Sequence, residues 1–227
     1  MSDADSFIDE VTEEVRRDRL FALMRRYGWI AILAVVLLVA AAAYNEYRKS
    51  AAASSAQALG DAALAAMEEQ TPAGRATALA QVADDFAASD PDGAAIVRMM
   101  AAGAEAEAGA SAAAMAGLDT VAASGALPEI YRQIAQFKAL ILPESGLDAA
   151  ERRAGFEALA TPGAPLRLLA EEQLALMDIA EGKPDVAIDR LQAILVDADL
   201  TDRLQQRVVQ VIVALGGTPD GVPGFAG

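Results

Sequence analysis

The chain has 227 residues, room for a short tail, one membrane segment and one domain of ordinary size, but not for two large domains. Its formal charge is −15, with five basic and seven acidic residues before Tyr27 and thirteen basic and twenty-six acidic residues from Asn45 onward; both soluble parts repel phosphate backbones, which excludes nucleic acid as a partner. Histidine and cysteine are absent, which excludes zinc sites built on those residues, Cys-His and Ser-His-Asp nucleophiles and imidazole bases, leaving only carboxylate or Ser-Lys chemistry open.

Residues 1–26 form a polar tail. Phe7, Ile8, Val11 and Val15 recur at helical spacing, with acids early and arginines late, an order that suits the helix dipole. The spacing predicts one amphipathic helix that leads into an apolar run.

From Tyr27 to Asn45 no residue is charged. At 1.5 Å per residue this run reaches roughly 28 Å, close to the ~30 Å hydrocarbon core of a bilayer. Its Ile, Leu and Val residues together favour insertion by roughly 2 to 5 kcal/mol, and one Asp at Val36 would cost about as much. Tyr27, Trp29 and Tyr44 stand at the ends, where amphipathic rings favour the headgroup layer. Arg16, Arg17, Arg19, Arg25 and Arg26 precede the run, whereas only Arg48 and Lys49 follow it closely, so the N-terminus is expected in the cytoplasm. Ala41-Ala42-Ala43 would suit a signal peptidase, but the acidic tail is unlike a short basic n-region, so residues 27–45 are expected to stay as a signal anchor. In a bacterial cell this places residues 46–215 in the periplasm, with the chain as a single-pass inner-membrane protein.

Residues 46–215 are rich in helix formers and are broken by Pro and Gly clusters at 71–74, 89–93, 124–129, 142–146, 161–165 and 181–184. The pattern predicts an all-α domain of successive helices of about 12 to 18 residues. Ser111, Asp148 and Asp185 are candidate N-caps or first-turn acids, and Thr201 or Asp202 is the candidate cap of the last helix. Residues 216–227, rich in Gly and Pro, are expected to be unfolded.

The segments repeat. Shifting residues 181–195 back by 73 places Gly182 on Gly109, Ala187 on Ala114, Ile188 on Met115, Leu191 on Leu118 and Ile194 on Val121. A shift of 37 places Ala187 and Arg190 on Ala150 and Arg153; one of 36 from Ala114 reaches Ala78, with Leu79 and Val82 in step with Met115 and Leu118. Forward by 34, Leu166, Ala170 and Leu174 meet Leu200, Leu204 and Val208. Such a unit of 34 to 37 residues is a helix pair that buries its apolar faces only by stacking on its neighbours, with Ala187 or Ala114 allowing close approach.

Residues 168–200 resemble a tetratricopeptide repeat. Leu174-Ala175 are similar to the Leu-Gly/Ala pair of the first helix, Gly182 to the turn, Ala187-Ile188 to the Ala-Ile of the second helix and Leu191 to its large residue; Glu171 and Asp178 stand where that pattern has Trp and Tyr, and Asp199 where it has Pro. The acidic tail, Arg25-Arg26-Tyr27-Gly28-Trp29 entering one span, the Ala-rich helix after it and the degenerate repeats ending near Gly217 together resemble the YfgM-like family of ancillary Sec-translocon subunits. The resemblance implies an α-solenoid on a signal anchor and, as partners, the SecYEG channel, a PpiD-like periplasmic chaperone and exported clients.

No catalytic machinery is expected, nor a cofactor or metal. Glu68-Glu69, Asp84-Asp85 and Glu171-Glu172 are helix neighbours pointing about 100° apart, unlike a converging acid and base. Asp90-Pro91-Asp92-Gly93 lacks the ligand pattern of a calcium loop and is expected to be a turn. Met99-Met100, Met115 and Met177 are expected in the core, and Tyr131 and Phe137 on different sides of one helix. If the repeats align, Ile96, Met99, Leu169, Glu172, Leu176 and Ile179 are the candidate partner face. The alternative function is an adaptor organising cell division or wall synthesis in the envelope.

Overall fold

The computed structural model describes the backbone of residues 3–220 and, apart from Ala31, side chains from residue 25 to 220. Within these the chain is all-helical, and no strand is present. It divides into two units, Met1–Ser54 and Ser55–Gly227. The first helix, α1 (Asp3–Met67), supplies the described part of the first unit and opens the second. The tail and the apolar run, expected as separate segments at 1–26 and 27–45, therefore carry one helical assignment, and the helix continues past the expected boundary at 45.

In the first unit, none of the described side chains from 25 to 54 is buried. The apolar stretch of α1 is long and apolar enough to cross a membrane. The side chains of Arg16, Arg17 and Arg19 lie outside the described residues. Arg26 stands 5.8 Å from the ring centroid of Tyr27.

The second unit adds eight helices of 11 to 17 residues: α2 (Pro72–Phe86), α3 (Pro91–Glu107), α4 (Ser111–Ala122), α5 (Glu129–Ile141), α6 (Ala149–Leu159), α7 (Arg167–Ala180), α8 (Pro184–Leu195) and α9 (Asp202–Ala214). Local chemistry sets their starts. Thr71 accepts from the Gly74 N–H and Asp90 from the Gly93 N–H, each followed by a proline whose missing N–H costs the first turn nothing. Asp148 and Glu151 form a capping box, and Thr201 caps α9 through the Leu204 N–H. Asp185 lies in the first turn of α8. Ser111 is the first helical residue of α4 rather than its cap; Ala110 precedes it and makes no side-chain bond.

From α2 onward each helix packs on the next, and the core divides into four clusters in chain order. The first joins Leu59, Ala63 and Ala66 of α1 to Leu79 of α2 and Val97 and Ala101 of α3. The second joins Met99 of α3, Ala114, Leu118 and Val121 of α4 and Ala135 of α5. The third holds Leu140 of α5, Phe156 and Leu159 of α6 and Leu174 of α7. The fourth holds Ala175 of α7, Leu191 of α8 and Val208 and Ile212 of α9. Helices α3, α5 and α7 thus serve two clusters each, from opposite faces. Phe137 packs edge-on against Phe156 at 5.7 Å, while Tyr131 packs on the second cluster, so the two aromatic residues of α5 do part company.

The 73-residue shift pairs like with like: Ala114 and Ala187, Leu118 and Leu191, and Val121 and Ile194 are all buried. Gly109 and Gly182 both adopt the left-handed conformation, at φ 77° and 74°, and the residue after each donates to a carbonyl five residues back, closing α3 and α7 in the same way. The 34-residue shift holds too, with Ala170, Leu174, Leu204 and Val208 all buried. The other two shifts need correction. Ala150 is exposed whereas Ala187 is fully buried; α6 buries Phe156 and Leu159, which lie 35 positions before Leu191 and Ile194. In α2 Ala78 and Val82 are half-buried, and the buried Ala76 and Ala83 lie 38 positions before Ala114 and Val121. Alanine is too small and too frequent here to fix a register by identity alone.

The segment from Gly216 to Asp220, expected to be unfolded, is held against the domain: Gln192 bonds to Thr218 and Asp220, and Pro219 is buried. Residues 221–227 of that expected tail lie outside the described residues.

Candidate interaction surface

Helix α7 is the centre of the charged chemistry. Its three acids, Glu171, Glu172 and Asp178, each meet an arginine from another helix. Arg153 of α6 donates to Asp178 at 2.8 Å and to Glu181 at 2.8 Å. Arg190 of α8 donates to Asp178 at 3.2 Å and to Glu171. Arg207 of α9 grips Glu172 with two parallel bonds of 2.7 and 2.6 Å, the bidentate geometry a guanidinium offers a carboxylate. Arg167 at the start of α7 reaches Asp197 after α8 at 2.7 Å. One helix therefore binds α6, α8 and α9 through charge.

Asp178 is 3% exposed. Two guanidinium groups, those of Arg153 and Arg190, meet its two carboxylate oxygens. A buried carboxylate is tolerable only when it is paired and hydrogen-bonded, and two guanidinium groups meet both conditions. Around this network Glu181 is held below the usual carboxylate range by its bonds to Lys183 and Arg153, and Asp197 by its bonds to Arg167 and to the Asp199 N–H. Glu105 of α3 goes the other way, since burial pushes it up against the weaker pull of Arg98.

The six residues expected to form a partner face are not all at the surface. Ile96 and Leu176 are exposed, at 43% and 40%. Met99 is buried in the second cluster, and Leu169 and Ile179 are half-buried on the fourth. Glu172 is 7% exposed and engaged by Arg207. Helical spacing puts these positions on one side of the first helices, but Met99, Leu169 and Ile179 turn into the core clusters and Glu172 turns to α9. Met100, expected in the core, is exposed instead, as is Ile141, and Gly103 of α3 and Lys138 and Ile141 of α5 share a shallow cleft. Ile141 is four residues after the packed Phe137, so spacing alone would turn it inward.

Two of the three carboxylate pairs diverge within their helices as expected; Glu68-Glu69, expected as helix neighbours, lies in the turn after α1 ends at Met67. Asp84 pairs with Arg98 of α3 while Asp85 accepts from Gln81, and Glu171 and Glu172 go to different helices. Asp90-Pro91-Asp92-Gly93, expected as a turn, is instead the N-cap and first turn of α3, with the Asp90 side chain accepting from the Gly93 N–H. Met115 and Met177 are half-buried against the second and third clusters.

Comparison of the chain with family models, with curated proteins and with solved structures finds no match to any of them.

Proposed function

We propose that the protein is a non-catalytic scaffold of the bacterial inner membrane, anchored by residues 27–45 of α1 with its N-terminus in the cytoplasm. On this reading α2–α9 form a periplasmic α-solenoid of degenerate tetratricopeptide-like pairs. It serves as an ancillary subunit of the Sec translocon, contacting SecYEG, a PpiD-like periplasmic chaperone and exported clients. Tyr27, Trp29 and Tyr44 sit at the two bilayer surfaces and the five arginines from Arg16 to Arg26 fix the orientation.

The observation that carries the reading is the division of labour in one helix. Among the described residues its apolar stretch buries no side chain, a state that water does not favour over so many adjacent Ile, Leu and Val residues, while its last turns bring Leu59, Ala63 and Ala66 into the first cluster. The ion pairs of α7 support a structural rather than a chemical use of its acids. Exposed Ile96 and Leu176 are the members of the expected face that remain available to a partner.

Photo-crosslinking in intact membranes, with the reactive group at Ile96 or Leu176, tests this. Channel subunits or a periplasmic chaperone are the expected adducts; recovery of neither from either position removes the export role.

A further inference from the structure

The 73-residue shift reaches further than the residues that first reveal it. It carries α4 onto α8 and α5 onto α9 end for end, and the last residues of α2 and α3 onto those of α6 and α7. Burial follows it: Val97 and Ala170, Ala101 and Leu174, and Ala135 and Val208 are buried at matching places. The second cluster joins α3, α4 and α5 as the fourth joins α7, α8 and α9. Helices α2–α5 and α6–α9 are therefore two versions of one arrangement, and a position in one half has a counterpart in the other.

The charges do not repeat. In the second half the Asp178 carboxylate lies between Arg153 of α6 and Arg190 of α8. Its counterpart in the first half is Glu105 of α3, and the counterparts of the two arginines are Ala80 and Gly117. The acid is kept while both guanidinium partners are replaced by the smallest residues. Among the described residues the Glu105 carboxylate accepts no hydrogen bond, and the one cation that acts on it, Arg98, gives its guanidinium to Asp84. Half-buried, Glu105 bears a desolvation cost that Arg98 does not cancel.

Direction agrees with position. A Cβ on Gly117 would lie 3.8 Å from Glu105 Oε2 and 3.5 Å from Cδ of Arg98. Arg190 leaves the same place in α8 and reaches Asp178 and Glu171, and Glu171 is the counterpart of Arg98. A guanidinium brought to Gly117 from outside thus meets a carboxylate placed as Asp178 is placed for Arg190, with the stem of Arg98 along one side. The excess of acid from Asn45 onward, twenty-six residues against thirteen basic ones, favours a cationic visitor over any other.

We infer that Glu105, beside Gly117 in the seam between α3 and α4, receives an arginine side chain from a basic segment of a protein partner, in the part that Arg190 plays within the chain. Arginine suits it because a planar guanidinium forms charge-assisted bonds to a carboxylate. The inference stands on the 73-residue register, and it holds whether or not that partner belongs to the export machinery.

The test uses the full-length protein in mild detergent and a fluorescein-labelled alanine peptide with one central arginine, compared with the same peptide carrying uncharged citrulline. Fluorescence anisotropy gives both affinities for the wild type, Glu105→Gln, Gly117→Arg and, as a control, Asp119→Asn, an exposed acid on another side of α4. The wild type is expected to prefer arginine by about tenfold, the scale of one hydrogen bond between charged groups. That preference should vanish in Glu105→Gln, and in Gly117→Arg, where the chain supplies its own guanidinium, and persist in Asp119→Asn. The contacts at the Gly117 Cβ are of ordinary van der Waals length, so the backbone accepts the substitution; should circular dichroism show lost helicity, Glu105→Gln decides alone. No preference in the wild type, a preference that survives Glu105→Gln or a folded Gly117→Arg, or an equal loss in Asp119→Asn overturns the site. Crosslinking to the export channel does not enter this result, so the two proposals fail separately.

Discussion

Arg153, on α6, donates to the buried carboxylate of Asp178, on α7, at 2.8 Å, and in doing so faces Arg190 of α8 across the same side chain. Three successive helices are joined at one residue. Removing Asp178 leaves two partly buried arginines facing each other without their shared counter-charge. Asp178→Ala is expected to cost about 3 kcal/mol of unfolding free energy, the scale for breaking a buried pair from one side. Urea unfolding followed by circular dichroism measures it; a midpoint equal to the wild type would show that the network carries no stability.

Acid should act unevenly on the two halves of the domain. Glu181 and Asp197 have depressed pKa values in the folded chain, so their contribution is present above the ordinary carboxylate value of about 4 and is lost as pH falls through the lower folded values. Glu105 has a raised value, so its ionised form costs stability at neutral pH and acidification through that value relieves the cost. Hydrogen exchange mapped along the chain should show α7–α9 losing protection below about pH 4 while α3 gains or holds its own on the way down. Equal loss in both regions contradicts the assignment.

Ala187 and Ala150 occupy the same place in one sequence register and opposite places in the fold. Ala187→Leu adds volume to a fully closed site between α7 and α8 and is expected to destabilise by about 1 to 3 kcal/mol. Ala150→Leu, on an exposed turn of α6, should stay within about 0.5 kcal/mol. Thermal melts of the two variants side by side check the corrected register, and equal shifts would restore the 37-residue one.

For the proposed anchor, Val36→Asp places a charge at the middle of the apolar run at a cost of about 2.5 to 3.5 kcal/mol, comparable with the whole gain from its Ile, Leu and Val residues. The variant should leave the membrane pellet on alkaline extraction. Retention equal to the wild type would mean that the stretch does not hold the chain in a bilayer.

Much of the helical layout was legible because the signals for it are local. Asp148, Thr201 and the Thr71-Pro72 and Asp90-Pro91 pairs act within one turn of their own position, and Gly109 and Gly182 mark turns through a backbone angle that other residues resist. The face of each helix was less legible. In α3, α5 and α7 apolar residues lie on two sides and alanine fills the spaces between, so helical spacing does not say which side meets which neighbour. That is why Met99 and Glu172 went inward while Met100 and Ile141 came out.

The sequence by itself determined an all-helical chain, an apolar run long enough for a bilayer, the 34- and 73-residue registers, and the lack of histidine and cysteine chemistry, since each of these is a property of residue type and spacing along the chain. The tertiary structure alone decided that the buried Asp178 takes two arginines, that Glu172 belongs to Arg207, 35 positions away, and that Gln192 grips the backbone after α9. Those pairings depend on which helices stack on which, and charge partners from different helices carry no mark of one another until packing brings them within hydrogen-bond distance.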